Sequence, residues 1–195
     1  MRRYSFNDYV GYLTGEIAKV SPAPSLVGHS LGGALVQKVL ETHHLPGAVL
    51  LASVPASGMA RALLRWLRNW PGPMVKTTLR LDYYALVETP ELARELLLSR
   101  DTSVDVEGFQ KRLVRESFLA GLPLVLPTTL RLERMNTPVL VIAGEDDRLF
   151  SVEEERRTAK ALRGEFRLFE GQAHNLMIDS AWQAVAEAIE DWIPL

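Results

Sequence analysis

A chain of 195 residues, 47% hydrophobic and 24% charged, has the size and balance of one globular domain, which excludes disordered and fibrous classes. A formal net charge of -2 gives no broad attraction to nucleic acid or anionic lipid, so no nucleic-acid partner is expected. The absence of cysteine excludes disulfides and thiolate metal sites. Arg2 and Arg3 are not followed by an apolar core, so no signal peptide is expected, and no stretch is long and apolar enough to span a bilayer. The expected location is cytoplasmic.

In chain order, Ser5 to Val20 reads as a helix: Ser5 can cap it, Asp8 lies in the first turn, and Phe6, Tyr9, Val10, Leu13, Ile17 and Val20 recur at helical spacing. Pro22 and Pro24 end it. Ser25 to Val27 is a short extended run, followed by a glycine turn and a helix from Gly33 to about His44. The apolar run Ala48 to Val54 suits a strand buried on both faces, and Val139 to Ala143 is a second. Residues 55 to 134 read as mostly helical, broken at Pro71-Gly72-Pro73, Thr89-Pro90, Gly121-Leu122-Pro123 and Pro127. A charged helix from Ser151 to about Arg163, a strand Glu165 to Phe169, a loop and a helix from about Asp179 to Trp192 complete the chain. Alternating strands and helices predict the α/β class with a parallel sheet of about four strands and a helical insertion.

The glycine turn is Gly28-His29-Ser30-Leu31-Gly32-Gly33. A Gly-x-Ser-x-Gly string between strand and helix holds a serine on a strained, exposed turn. Ser30 needs a base, and the base needs an orienting carboxylate. Of four histidines, His29 is expected to point away from a site that Ser30 faces, and His43 and His44 fall at a helix end. His174 lies in the loop Gly171 to Asn175, at the carboxyl end of a strand, where open α/β sheets place their sites. Gly144-Glu145-Asp146-Asp147 follows another strand, and there Asp146, Asp147 and Glu145 compete. The order Ser, Asp, His is that of one arrangement among the serine triads.

On these residues the chain resembles the α/β hydrolases of the esterase and lysophospholipase kind, and its whole length is similar to the second half of that fold. The resemblance implies Ser30 as nucleophile, His174 as base, and Asp147, three residues after the glycine, as the acid. It implies Leu31 N-H as one oxyanion donor and an elbow of Gly28, His29, Gly32 and Gly33. It divides the chain into a core of residues 1–54 and 135–195 and a cap or lid of residues 55–134. By resemblance, the helix from Ser5 precedes the nucleophile strand, so the first strands and the second oxyanion donor have no counterpart. Losing one such donor typically lowers turnover on the order of a hundred- to a thousand-fold, which implies weak activity. Ser25 to Val27 would form an exposed sheet edge, which invites pairing with a second copy or a separate partner.

The expected function is a serine hydrolase of small acyl or ester substrates; a silent module acting in association or ligand binding is the alternative. Arg61, Arg65 and Arg68 form one stripe of an amphipathic helix, with Leu63, Leu67 and Trp70 on another. A lid touching lipid is weighed there against a helix packed on the core with solvated arginines, and the second is favoured. Tyr83 and Tyr84 are read as core in preference to pocket. Glu153 to Arg157 reads as the charged face of a helix. The glycine turn lacks the pattern of a P-loop or dinucleotide site, and no cofactor and no metal are expected.

Overall fold

The computed structural model describes residues 4–125, 130–131 and 135–193. Arg2 and Arg3, the break at Pro127 and the boundary at residue 134 lie outside them.

Helix α1 (Phe6–Ile17) begins where Ser5 and Asp8 cap each other: the Ser5 hydroxyl accepts the Asp8 N-H, and the Asp8 carboxylate accepts the Ser5 N-H at 2.7 Å. The sheet follows as β1 (Leu26–His29), β2 (Ala48–Leu51), β3 (Val139–Gly144) and β4 (Glu165–Phe169), all parallel and in that spatial order. β2 and β3 are buried on both faces, as continuous apolar runs require. Their alternate residues feed two cores. Leu50 and Val141 pack with Val36 and Val39 of helix α2 (Leu31–Val39), with Leu40 just past its end, and with Ala159 of α8 (Val152–Ala161). Val49, Leu51, Leu140 and Ile142 pack with Leu176 and with Val185 of α9 (Trp182–Glu190).

Between β2 and β3 run α3 (Ala60–Asn69), α4 (Pro71–Arg80), α5 (Pro90–Leu97), α6 (Val106–Arg112) and α7 (Phe118–Gly121), with 3-10 turns at Tyr83–Leu86 and Leu122–Leu124. Prolines open α4 and α5, where a missing N-H costs nothing. A third core joins this segment to the rest: Met59, Trp66, Leu96 and Leu124 pack with Phe6, Ala34, Val54 and Phe150.

Several boundaries differ from those expected. β2 stops at Leu51 because Ala52 takes φ 42°, a left-handed conformation that ends a strand. α2 begins at Leu31, two residues early, since the turn leads straight into the helix. The α3 stripe also differs. Ala62, Trp66 and Trp70 are buried and Leu63 packs against the same core, while Leu67 is 49% exposed, so of the expected stripe of Leu63, Leu67 and Trp70 only Leu67 leaves the packed face. Glu154 and Glu155 of α8 are buried, which corrects the reading of that run as a charged surface. Glu154 reaches back to cap Ser151 and pairs with Arg65 at 2.7 Å, so Arg65 is not a solvated arginine.

Candidate active site

The parallel register brings the carboxyl ends of all four strands side by side: His29 pairs with Leu51, and Gly144 with Phe169. Every residue of the expected constellation follows one of these ends. Ser30 stands between β1 and α2 at φ 52° and ψ -118°, a conformation an L-residue adopts only under constraint. Its backbone supplies that constraint: Ser30 N-H donates to Leu51 O, and its carbonyl accepts from Gly33 N-H and Val54 N-H, all at 3.0 to 3.1 Å. Two glycines let the turn close. A Cβ on Gly28 would lie 2.5 Å from Gly32 O, and one on Gly33 would lie 2.2 Å from the Ser53 hydroxyl. A Cβ on Gly32 meets nothing within 4 Å.

His174 is held from both sides. Its Nδ1-H donates to Asp147 Oδ2 at 2.9 Å, with the two side chains 3% and 2% exposed. The other Asp147 oxygen accepts the N-H groups of Leu149 and Phe150 at 2.7 and 3.1 Å, which fixes the carboxylate in its turn. Since a carboxylate only accepts, the proton sits on Nδ1 and Nε2 is left as the basic nitrogen. Asp146 and Glu145 go elsewhere: Asp146 lies 3.7 Å from Arg100, and Glu145 accepts the Gly171 N-H. The geometry therefore separates three carboxylates that the sequence pattern leaves open.

His29 overturns its expectation. Its Nε2-H donates to His174 O at 3.1 Å, and the two rings lie 4.7 Å apart. Alternation along a strand sends neighbours to opposite faces, but the left-handed turn at Ser30 ends that alternation, and His29 lines the same cavity as Ser30. Burial, followed by the adjacent His174, lowers the His29 pKa to about 3, so the ring stays neutral.

Ser30, Leu31 and His174 open on a cavity of about 700 Å³. Leu35, Val54, Met59, Leu96 and Phe150 are among the residues that make its wall apolar. Tyr83 and Tyr84 also line it, while Tyr83 stacks on Phe118 at 4.9 Å, so each serves both pocket and packing. The segment between β2 and β3 supplies much of this wall and also braces the loops beneath. Arg65 and the Trp66 indole N-H both donate to Leu149 O, two residues from Asp147. The Ser99 hydroxyl accepts the Ala173 N-H at 3.0 Å, Asp179 accepts the Ser99 N-H, and Leu97 O accepts the Asn175 N-H. The sequence gives no local signal for Arg65 or Ser99, whose partners lie 84 and 74 residues away. Among the described residues no group of acidic, histidine or cysteine side chains is arranged to hold a metal.

A model of a family described as the alpha/beta hydrolase family matches residues 2–188. Among solved structures, a monoacylglycerol lipase of Paleococcus ferrophilus is 23% identical with a TM-score of 0.65, over 97% of this chain and 75% of its own. A thermophilic esterase is 20% identical with a TM-score of 0.65, over 98% and 74%. A bromoperoxidase from Bacillus anthracis is 19% identical with a TM-score of 0.65, over 96% and 75%. No curated protein matches significantly.

Proposed function

The chain belongs to the alpha/beta hydrolase family, and within it we propose a serine hydrolase that splits a carboxylic ester or related acyl substrate. One observation carries this reading: the buried 2.9 Å bond from His174 to Asp147, beside a serine on a left-handed turn in the same cavity. The Ser30 hydroxyl attacks the substrate carbonyl, His174 Nε2 takes its proton, and Asp147 holds the imidazole in the required tautomer. Leu31 N-H, at the first position of α2, faces the oxyanion as one donor. Collapse of the intermediate expels the alcohol with the proton from His174. Water then enters by the reverse route, splits the acyl-serine and releases the acid.

Residues 55–134 act as a cap in this reading, and their apolar wall suits a small substrate with an acyl or alkyl chain. The names of the lipase and the esterase among the similar structures agree with ester chemistry. A cytoplasmic setting is part of the proposal; among the described residues no helix is long and apolar enough to cross a membrane.

The test is hydrolysis of p-nitrophenyl butyrate. Ser30→Ala and His174→Ala bring kcat/KM down to the uncatalysed background, and Asp147→Asn lowers kcat on the order of ten-thousand-fold by imposing the wrong tautomer. Full activity in Ser30→Ala overturns the proposal.

A second reading, association through the sheet edge, is favoured by β1: it is a terminal strand of the four-stranded sheet, with Val27 51% exposed. An exposed parallel edge is a template for pairing. This reading predicts a dimer or a captured partner strand in sedimentation analysis, and a monodisperse monomer removes self-association.

A further inference from the structure

We propose that the outer face of α3 and α4 is a docking surface for an anionic lipid bilayer. The inference stands apart from the serine-hydrolase reading, since it concerns where the molecule sits and not what it cleaves.

α3 and α4 meet at Trp70 and pack on each other, with Trp66, Trp70 and Met74 turned into the core. Their other sides face water. On α3 the exposed residues include Arg61, Leu64, Leu67 and Arg68, which three- and four-residue spacing gathers into one face. On α4, Val75 and Leu79 form one exposed row, and Lys76 and Arg80 form the next. Leu81, just past the helix, is exposed as well. Leu64 is 69% and Leu79 80% exposed. Apolar side chains gathered this closely mark an interaction surface, whereas single exposed leucines do not.

Charge says what covers them. Residues 60–81 hold Arg61, Arg65, Arg68, Lys76 and Arg80 and no aspartate or glutamate, although the whole chain carries a net charge of -2. The rest of the chain is therefore net negative, and its positive charge gathers on this helix pair. Arg65 is engaged by Glu154, and Glu88 pairs with both Lys76 and Arg80, which leaves one positive charge among those three. Arg61 and Arg68 have no partner among the described residues.

This combination suits a lipid surface. Leucines enter the boundary between headgroups and acyl chains, while the longer cationic side chains reach the phosphates. An anionic leaflet adds attraction for each cation. A nucleic acid or other hydrophilic polyanion would meet the cations and leave the leucines in water. The inner side of the same segment supplies Met59, Trp66 and Tyr83 to the cavity wall. Docking through the outer side therefore holds the cavity close to the bilayer, where apolar molecules concentrate.

The test is sedimentation of the full chain with vesicles of phosphatidylcholine alone and of equal parts phosphatidylcholine and phosphatidylglycerol. The wild type binds the anionic vesicles roughly a hundredfold more tightly, and added salt erases the difference. Arg61→Gln combined with Arg68→Gln cuts this preference about thirtyfold. Leu64→Ser combined with Leu79→Ser weakens binding to the anionic vesicles by about tenfold or more. All four side chains are exposed, so both double variants keep the wild-type melting temperature. Ser30→Ala binds vesicles as the wild type does, which separates docking from hydrolysis. Equal binding to the two vesicle types, binding to neither, or anionic-vesicle binding that survives both double variants each overturn the proposal. A dimer that Leu64→Ser with Leu79→Ser dissolves, without vesicle binding, gives the face to a second copy and overturns it too.

Discussion

Glu155 is 1% exposed, and neither carboxyl oxygen has a hydrogen-bond partner. Burial first, then the nearby Asp147 and Glu154 carboxylates, push its pKa well above the usual carboxylate range, with the Ser53 backbone opposing. A raised folded pKa binds the proton more tightly in the native state. Its contribution is therefore fully present below the unfolded value near 4.5 and is lost as pH rises through the folded value. Glu155→Met keeps the volume and removes the titration. Its Tm gain over the wild type is on the order of 5 °C at pH 8 and shrinks toward pH 5; equal gains at both pH values in thermal melts contradict the assignment. At this scale the sequence was legible where chemistry names the residue. Ser30 and His174 stand out by motif and by position after a strand. Asp147 needed the fold, because Asp146 one residue earlier has the same chemistry and only the turn decides which carboxylate meets His174. Glu155 was illegible: in a run of three glutamates nothing local says that α8 turns the last two inward.

The strand, turn and helix around Ser30 are an element whose backbone is set by two glycines, and they are not the pair the Gly-x-Ser-x-Gly string suggests. A Cβ added at Gly28 or Gly33 would lie 2.5 Å or less from a backbone or side-chain atom, whereas Gly32 has open space and sits inside α2. Gly28→Ala and Gly33→Ala are expected to cost on the order of 2 kcal/mol or more by overpacking. Gly32→Ala is expected to be neutral or to stabilise by about 0.5 kcal/mol, since alanine is the better helix former. Urea unfolding of the three variants checks the ranking, and a Gly32→Ala cost equal to the others contradicts it. Element type was legible throughout the sheet because β2 and β3 are continuous apolar runs bounded by Pro46-Gly47 and Pro138. Ends were less so. The left-handed residues Ser30 and Ala52 decide where β1 and β2 stop, and they are a serine and an alanine, types with no preference for that conformation.

Across the whole molecule, the helices between β2 and β3 share one apolar cluster with α1, α2 and the loop that carries Asp147, through Phe6, Ala34, Met59, Trp66 and Phe150. Arg65 and Ser99 add polar ties to the loops that carry Asp147 and His174. Such sharing couples the segment to the sheet, so calorimetry is expected to show one transition with equal calorimetric and van't Hoff enthalpies. Two separable transitions contradict this. The coupling was outside the reach of sequence patterns, because the contacts join residues more than 70 positions apart and helix periodicity names a buried face without naming its partner.

The central claim is that Ser30 is an activated nucleophile with His174 as its base. Intact-mass detection of covalent labelling by a fluorophosphonate probe tests it most directly. The account predicts stoichiometric labelling of the wild type, abolished in Ser30→Ala and in His174→Ala. A folded wild-type protein that takes up no label, or label that persists in Ser30→Ala, contradicts it.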